Sequence, residues 1–211
     1  VHIQWYGHSC FSLESTSGES LICDPFDKSV GYTVPRVQAS VVLVSHDHYD
    51  HNNIAVVEGN PRIIDQPGEY RIASLLIKGF PAFHDDQTGE KRGENTVYRV
   101  EAENLSIIHC GDLGALPPEK EVLAWGKSDI VLVPVGEIFT FSIQEAKRLI
   151  ELLDPRIVVP MHYYDERLAF ELHRVEPFLS LFSTVQHLEQ PGFEVRSDTL
   201  PSSLEVWVLR V

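Results

Sequence analysis

Three of the ten histidines fall within six residues, at His46, His48 and His51, with Asp47 and Asp50 between them. Imidazole nitrogens and carboxylate oxygens are the ordinary ligands of zinc and similar divalent cations. The run follows directly on Val41–Val44, an apolar stretch that reads as a strand buried on both faces. On extended backbone His46 and His48, two apart, project to the same side. If the chain turns after them, Asp50 and His51 reach a second position close by. The competing reading is a polar loop that happens to be rich in histidine, but ligating residues this dense behind a buried strand are rare by chance.

A hydrolytic metal site needs more donors than this run offers, and they are expected where other strands end. Three residues meet that condition. His84 follows Phe80–Phe83, Asp112 stands in His109-Cys110-Gly111-Asp112 after Leu105–His109, and His162 follows Val158-Val159-Pro160-Met161. Each alone could equally be an ordinary polar residue; beside the first cluster they describe a metal site. His8, after the first strand, either faces that site or makes a structural hydrogen bond. His109 reads as packed, and His2, His173 and His187 as surface or core-edge residues. In the loop 87–95, Lys91, Arg92 and Asn95 could meet an anionic substrate, although a solvated hairpin is the plainer reading. Phe139 lines the site or packs in the core, and Tyr163 and Tyr164, beside His162, are possible donors to a reacting oxygen.

The elements that position these residues are mostly strands: Val1–Tyr6, Phe11–Glu14, Ser20–Cys23, Val41–Val44, Pro61–Ile64, Tyr70–Ile72, Leu75–Phe80, Thr96–Val100 and Leu105–His109. The second half adds strands Ile130–Pro134, Ile157–Val159 and Leu204–Val211. It also adds helix. Ser142 and Glu145 have the spacing of a capping box, and Ile143, Ala146, Leu149, Ile150 and Leu153 share one helical face up to Asp154-Pro155. Glu166–Leu181 reads as helical with an interruption near Pro177. Many strands with late helices imply one layered α/β domain over residues 1–211.

At this point the sequence resembles the metallo-β-lactamase superfamily. The resemblance rests on His46-x-His48-x-Asp50-His51 followed by single His, Asp and His positions, across about residues 2–165. Trp5-Tyr6-Gly7-His8-Ser9-Cys10-Phe11, Asp24-Pro25-Phe26, His109-Cys110-Gly111-Asp112-Leu113-Gly114, Pro134-Val135-Gly136 and Pro160-Met161-His162-Tyr163 are similar to its ascorbate-6-phosphate-lactonase-like branch. The resemblance implies a four-layer αββα sandwich with two divalent metal ions at one edge. Zinc is the first expectation, with manganese or iron as alternatives. It implies that His46, His48 and His84 hold one metal, that Asp50, His51 and His162 hold the other, and that Asp112 bridges them. Asp50 and His162 are thereby expected to be catalytic. Asp24, at the end of its strand, would orient a ligand histidine; a turn cap before Pro25 is the equal alternative. His8 would stand in the same supporting layer. The superfamily's hydrolases have histidine at the site of His48, where its di-iron oxygen-reducing members have glutamate, so hydrolysis is favoured over redox chemistry. The segment around His84 lacks the compact His–Gly context of the thioesterase branches, which disfavours a thioesterase.

The expected chemistry is attack on an ester, lactone or phosphodiester by a hydroxide held between the metals. With 17 basic and 31 acidic residues, the formal charge of −14 disfavours nucleic acid and anionic membranes as partners. The partner expected is a small, possibly anionic substrate, and pairing of sheet edges makes a homo-oligomer possible. The alternatives are a phosphodiesterase acting on nucleic acid or lipid head groups, and a non-catalytic metal-binding module. Three cysteines without a close pair and no visible signal peptide point to the cytoplasm.

Overall fold

The computed structural model describes residues 1–211. Its first half lays down β1 (His2–Gly7), β2 (Cys10–Glu14), β3 (Ser20–Cys23), β4 (Val37–Gln38), β5 (Val41–Leu43), β6 (Val57–Glu58) and β7 (Arg62–Ile64). Then come β8 (Gly68–Ile72), β9 (Leu75–Phe83), β10 (Glu94–Ala102), β11 (Leu105–His109), α1 (Glu119–Trp125), β12 (Ile130–Pro134) and α2 (Ile143–Leu153). The chain closes with β13 (Ile157–Met161), α3 (Glu176–Leu179), β14 (Val185–His187), β15 (Gly192–Glu194) and β16 (Glu205–Val208). One sheet has the order β15-β1-β2-β3-β5-β7, the other β14-β16-β13-β12-β11-β10-β9-β8, and β4 pairs with β6 in a small ribbon.

Alternation explains how the layers stack. Along β3 and β5, Leu21, Cys23, Val41 and Leu43 face the main core, whereas Ile22 and Val42 face a second apolar cluster with Phe26, Val30 and Tyr32. The main core, 46 buried residues, fills the space between the sheets and continues under α1 and α2, so it carries most of the hydrophobic stabilisation. The outer cover of the first sheet is made of loops, two single-turn 3-10 segments and the β4–β6 ribbon. Pro25, Gly31, Pro35 and Pro61 punctuate this stretch and leave no room for a long helix. Helix α2 forms as its pattern predicts: the five apolar residues of its inner face are buried and the capping box is complete.

Several expectations need correction. Glu166–Leu181 is not one helix: only α3 is helical, and Pro177 sits in its first turn instead of interrupting it. Leu168, Phe170 and Leu172 are spaced by two, so they cannot share a helical face. Instead, Leu168 and Phe170 pack on the second cluster along an irregular path, and Leu172 is buried. The closing strand is limited to Glu205–Val208. Helix α1, behind Pro117-Pro118, has only Val122 and Trp125 as buried anchors, too few to show a helical period in sequence.

Candidate metal centre

Strand direction brings the site together. β2 runs antiparallel to β1 and β3, and β5 parallel to β3, so β1, β3 and β5 end at one edge. In the second sheet β10 is antiparallel to β9 and β11, while β12 and β13 are parallel to β11, so β9, β11 and β13 end together. His8, Asp24, the run from His46, His84, Asp112 and His162 all follow these carboxyl ends, where ligands of α/β sheets bind. Several of the turns are sharp. His8, Asp24 and His162 have φ of 52°, 48° and 51°, left-handed values that cost a residue with a side chain roughly 1–3 kcal/mol each. Part of the compensation is local: the His8 carbonyl accepts the His162 amide (3.2 Å) and the Trp5 indole N–H (2.9 Å).

All seven expected donors converge, and His8 joins them. His46, His48 and His84 form one group whose ligating atoms lie within 4.8 Å of one another; His8, Asp50, His51 and His162 form a second; His46, His51 and Asp112 form a third between them. A single oxygen, Asp112 Oδ2, lies 3.0 Å from His162 Nε2, 3.3 Å from His51 Nε2 and 3.6 Å from His84 Nε2. His8 Nε2 sits 3.1 Å from Asp50 Oδ2. The buried nitrogens His46 Nε2, His51 Nε2, His84 Nδ1, His8 Nδ1 and both of His162 have no hydrogen-bond partner. Such orphaned buried groups are costly, and cations drawn from the same donor set would satisfy those facing the centre. The residues therefore fit bound metal.

Behind the donors stands Asp24, fully buried. Its Oδ1 accepts the Ser45 amide (2.7 Å), and its Oδ2 accepts the Ser45 hydroxyl (2.7 Å) and His51 Nδ1–H (2.9 Å). Because the Ser45 hydroxyl donates to Asp24, it accepts from His46 Nδ1–H at 2.9 Å. One carboxylate thus sets the tautomer of two rings and turns both Nε2 lone pairs inward. Burial by itself raises the Asp24 carboxyl, but His51 outweighs it and holds the group below its ordinary value. Burial, the largest influence, pushes His46 down to about 2 and His8 and His84 down to about 4, so these rings are neutral and their lone pairs free at neutral pH. At His51 burial is outweighed by Asp112 and Asp24, which raise its proton affinity well above that of free imidazole. That position favours a cation.

Other expected residues lie elsewhere. Asn95 does not face a substrate: it is buried, donates to the Cys110 carbonyl (2.9 Å) and accepts the Asp112 amide (3.0 Å), so it holds the Asp112 turn. Tyr163 packs at a tilt against Trp5 (ring centroids 5.6 Å) and Tyr164 lies under Arg174 (4.6 Å), and neither lines the mouth of the centre. His109 is packed, accepting the Gly111 amide at Nδ1 (3.1 Å) and donating from Nε2 to the Ser9 carbonyl (2.8 Å). Sequence reasoning missed Ser45, Phe170 and Asp85. Asp85 lies beside His84 and accepts the amides of Gln87, Gly89, Lys91 and Arg92 at 2.8–2.9 Å. Its only signal was its place at the head of a Gly-containing polar loop. The mouth is a cavity of about 310 Å³ with His48, Asp50, His84 and Asp112 among its lining, walled by Lys91, Arg92, Phe139 and Phe170. A second cavity of about 610 Å³ is lined by His46 among others and shares His48 and Arg92 with the mouth.

Fold and site together define the class. The β-lactamase superfamily domain matches residues 2–162, and the chain belongs to the metallo-β-lactamase superfamily. It is similar to a metallo-β-lactamase superfamily protein of Thermotoga maritima, named as a candidate Zn-dependent hydrolase: 36% identical, TM-score 0.83, covering 99% of this chain and 97% of that one. A protein of Methanopyrus kandleri named UPF0173 metal-dependent hydrolase is 27% identical over 194 residues, 77% of this chain and 84% of its own length. The fold alone is shared with CmlA, a di-iron β-hydroxylase of Streptomyces venezuelae, at 13% identity and TM-score 0.61 over 80% of this chain and 46% of that one.

Proposed function

We propose that this protein is a dinuclear metal-dependent hydrolase acting on an ester, lactone or phosphodiester of a small molecule. The observation that carries the reading is Asp112 Oδ2, within 3.6 Å of rings from both donor groups, where one carboxylate can serve two cations. The relatives' names, metal-dependent and Zn-dependent hydrolase, support it. His46, His48 and His84 would hold one cation, Asp50, His51 and His162 the other, with Asp112 shared. Zinc is the metal we propose, because five or more imidazoles suit it; manganese and iron are the alternatives. Bound there, the pair supplies Lewis acidity and an acidified water for attack on a carbonyl or phosphoryl centre.

The chain's own residues do the positioning. Asp24 and Ser45 aim His51 and His46, Asn95 fixes the turn that presents Asp112, and Asp50 is braced by His8. Asp50, which lines the mouth, and His162, buried 3.0 Å from Asp112 Oδ2, are the proposed catalytic pair. A small-molecule substrate agrees with the size of the cavity. The three free, buried cysteines support a reducing compartment, in line with the cytoplasm. No helix is long and apolar enough to cross a membrane.

Metal analysis of the purified protein, followed by a panel of chromogenic esters, lactones and phosphodiesters, tests the reading. Two equivalents of metal are expected, with turnover in at least one substrate class and a fall of 100-fold or more in His162→Ala. Full metal content and full activity in that variant would overturn it, and metal without turnover of any class would favour a binding module.

A further inference from the structure

Arg92 is a basic residue at the mouth of the metal centre of an acidic chain. Carboxylates outnumber basic residues 31 to 17, and Glu90 and Glu94 stand two residues away on either side of it. Yet its guanidinium makes no ion pair; it lies 5.3 Å over the ring of Phe139 at the mouth of the metal centre. A guanidinium on an aromatic face is partly stripped of water while its N–H edge stays free, the arrangement that recognises phosphate or carboxylate through paired hydrogen bonds. Lys91 lines the same cavity, its ammonium in an exposed ion pair with Asp86 (3.9 Å).

The loop that carries them is built, not merely solvated. Asp85 Oδ1 takes the amides of Gln87 and Gly89, and Oδ2 takes those of Lys91 and Arg92. Asp85 is buried. Its neighbour His84 is a donor of the first group, so the backbone that places that ring also places Arg92. Phe139, beneath Arg92, lies 6.2 Å from Phe170, and the two rings form an aromatic wall of the cavity. Holding the loop in one shape before binding lowers the entropic cost of capture.

We propose that this loop selects the substrate: Arg92, assisted by Lys91, binds an anionic group, phosphate or carboxylate, carried by the ester or lactone, while Phe139 and Phe170 hold its apolar part. Asp85 is a positioning residue for that contact. The inference rests on the hydrolase reading above, because it assigns the side of the substrate away from the scissile bond.

The test compares the zinc-loaded full-length protein on 4-nitrophenyl butyrate and on its carboxylate counterpart, mono-4-nitrophenyl succinate. Wild type should favour the succinate in kcat/KM. Arg92→Gln should lower the succinate-to-butyrate ratio at least 10-fold, mainly through KM, and Arg92→Lys should restore part of it. Asp85→Asn should lower the same ratio with Arg92 still present, since an amide would set an NH2 against two of the four backbone donors. A ratio unchanged within twofold in Arg92→Gln overturns the proposal. If neither ester is turned over, ester hydrolysis fails by itself and binding decides the inference. Phenylphosphate and benzoate are then titrated into the zinc-loaded protein and followed by amide NMR. Shifts centred on Lys91, Arg92 and Phe139, with Kd at least 5-fold weaker in Arg92→Gln, support it, and the tighter probe identifies the anion. Equal affinity in both proteins, or shifts confined to the metal donors, overturn it.

Discussion

At the scale of single residues, donor identity and the hydrogen bonds behind each donor account for the centre. His8 is the residue whose role the geometry enlarges. It was expected in the supporting layer; its Nε2 meets Asp50 Oδ2 at 3.1 Å, it groups with Asp50, His51 and His162, and its Nδ1 is buried without a partner. His8→Ala is expected to weaken the second cation by about 10–100-fold, the usual cost of losing a group that holds a metal ligand, and to leave the first nearly untouched. Equilibrium dialysis with zinc reads both constants separately; two unchanged constants would show that His8 only packs. Arg92 belongs to the same scale on the substrate side: a single unpaired cation whose value depends on an aromatic ring beneath it and a cage of amides behind it.

At the scale of elements, tight approaches between strand-end loops matter most. A Cβ at Gly114 would lie 2.2 Å from the backbone of His84 and Asp85, so no side chain fits there without moving the β9 loop. This contact comes from the loop after β11, where the Gly114 amide also donates to the Phe83 carbonyl (2.9 Å). Gly114→Ala should shift His84 and the Asp85 cage by about an ångström, for which a loss near 100-fold in turnover is expected. Metal content and kcat of that variant check it, and wild-type values for both would refute the contact's importance. Helix α2 offers a cleaner stability experiment. Glu145 accepts the Ser142 amide (2.9 Å) and hydroxyl (2.7 Å). Burial raises its carboxyl, but the Ser142 donors outweigh this and hold it below its ordinary 4.5. A depressed carboxyl stabilises the fold above its unfolded-state value and loses that contribution as pH falls through the lower folded-state value. Wild type should therefore exceed Glu145→Gln in unfolding free energy near pH 7, and the two should converge in acid. Parallel curves across that range would contradict the assignment. Ser142→Ala, which removes the cap itself, should cost about 1 kcal/mol.

For the molecule as a whole, the centre sits where two sheets meet and joins them. Asp24, Asp50 and Asp112 surround His51 in a chain with a net charge of −14, an arrangement that bound cations would stabilise. Cation binding at 100 times its Kd adds about 2.7 kcal/mol per site, and a chain of this length gains roughly 2–4 °C per kcal/mol. Removing metal with a chelator should accordingly lower Tm by roughly 5–10 °C per site vacated, and readding zinc should restore it. Calorimetric scans that do not respond to chelator would mean the centre is not filled in the folded protein.

What the amino-acid order determined by itself was local: most of the strands, and that a candidate ligating residue follows four of them. The alternation of His46 and His48 behind Val41–Val44, and single donors after three further apolar runs, follow from backbone period and side-chain chemistry alone. Tertiary structure decided which strand ends meet. His8 and His162 come from different sheets, and only the pairing directions within each sheet bring them to one edge, with ring centroids 4.4 Å apart. The seat of Arg92 on Phe139 and the irregular path that brings Phe170 to the mouth were illegible for the same reason. Each depends on groups far apart in the chain, whose distance is fixed by packing and not by any pattern of neighbours.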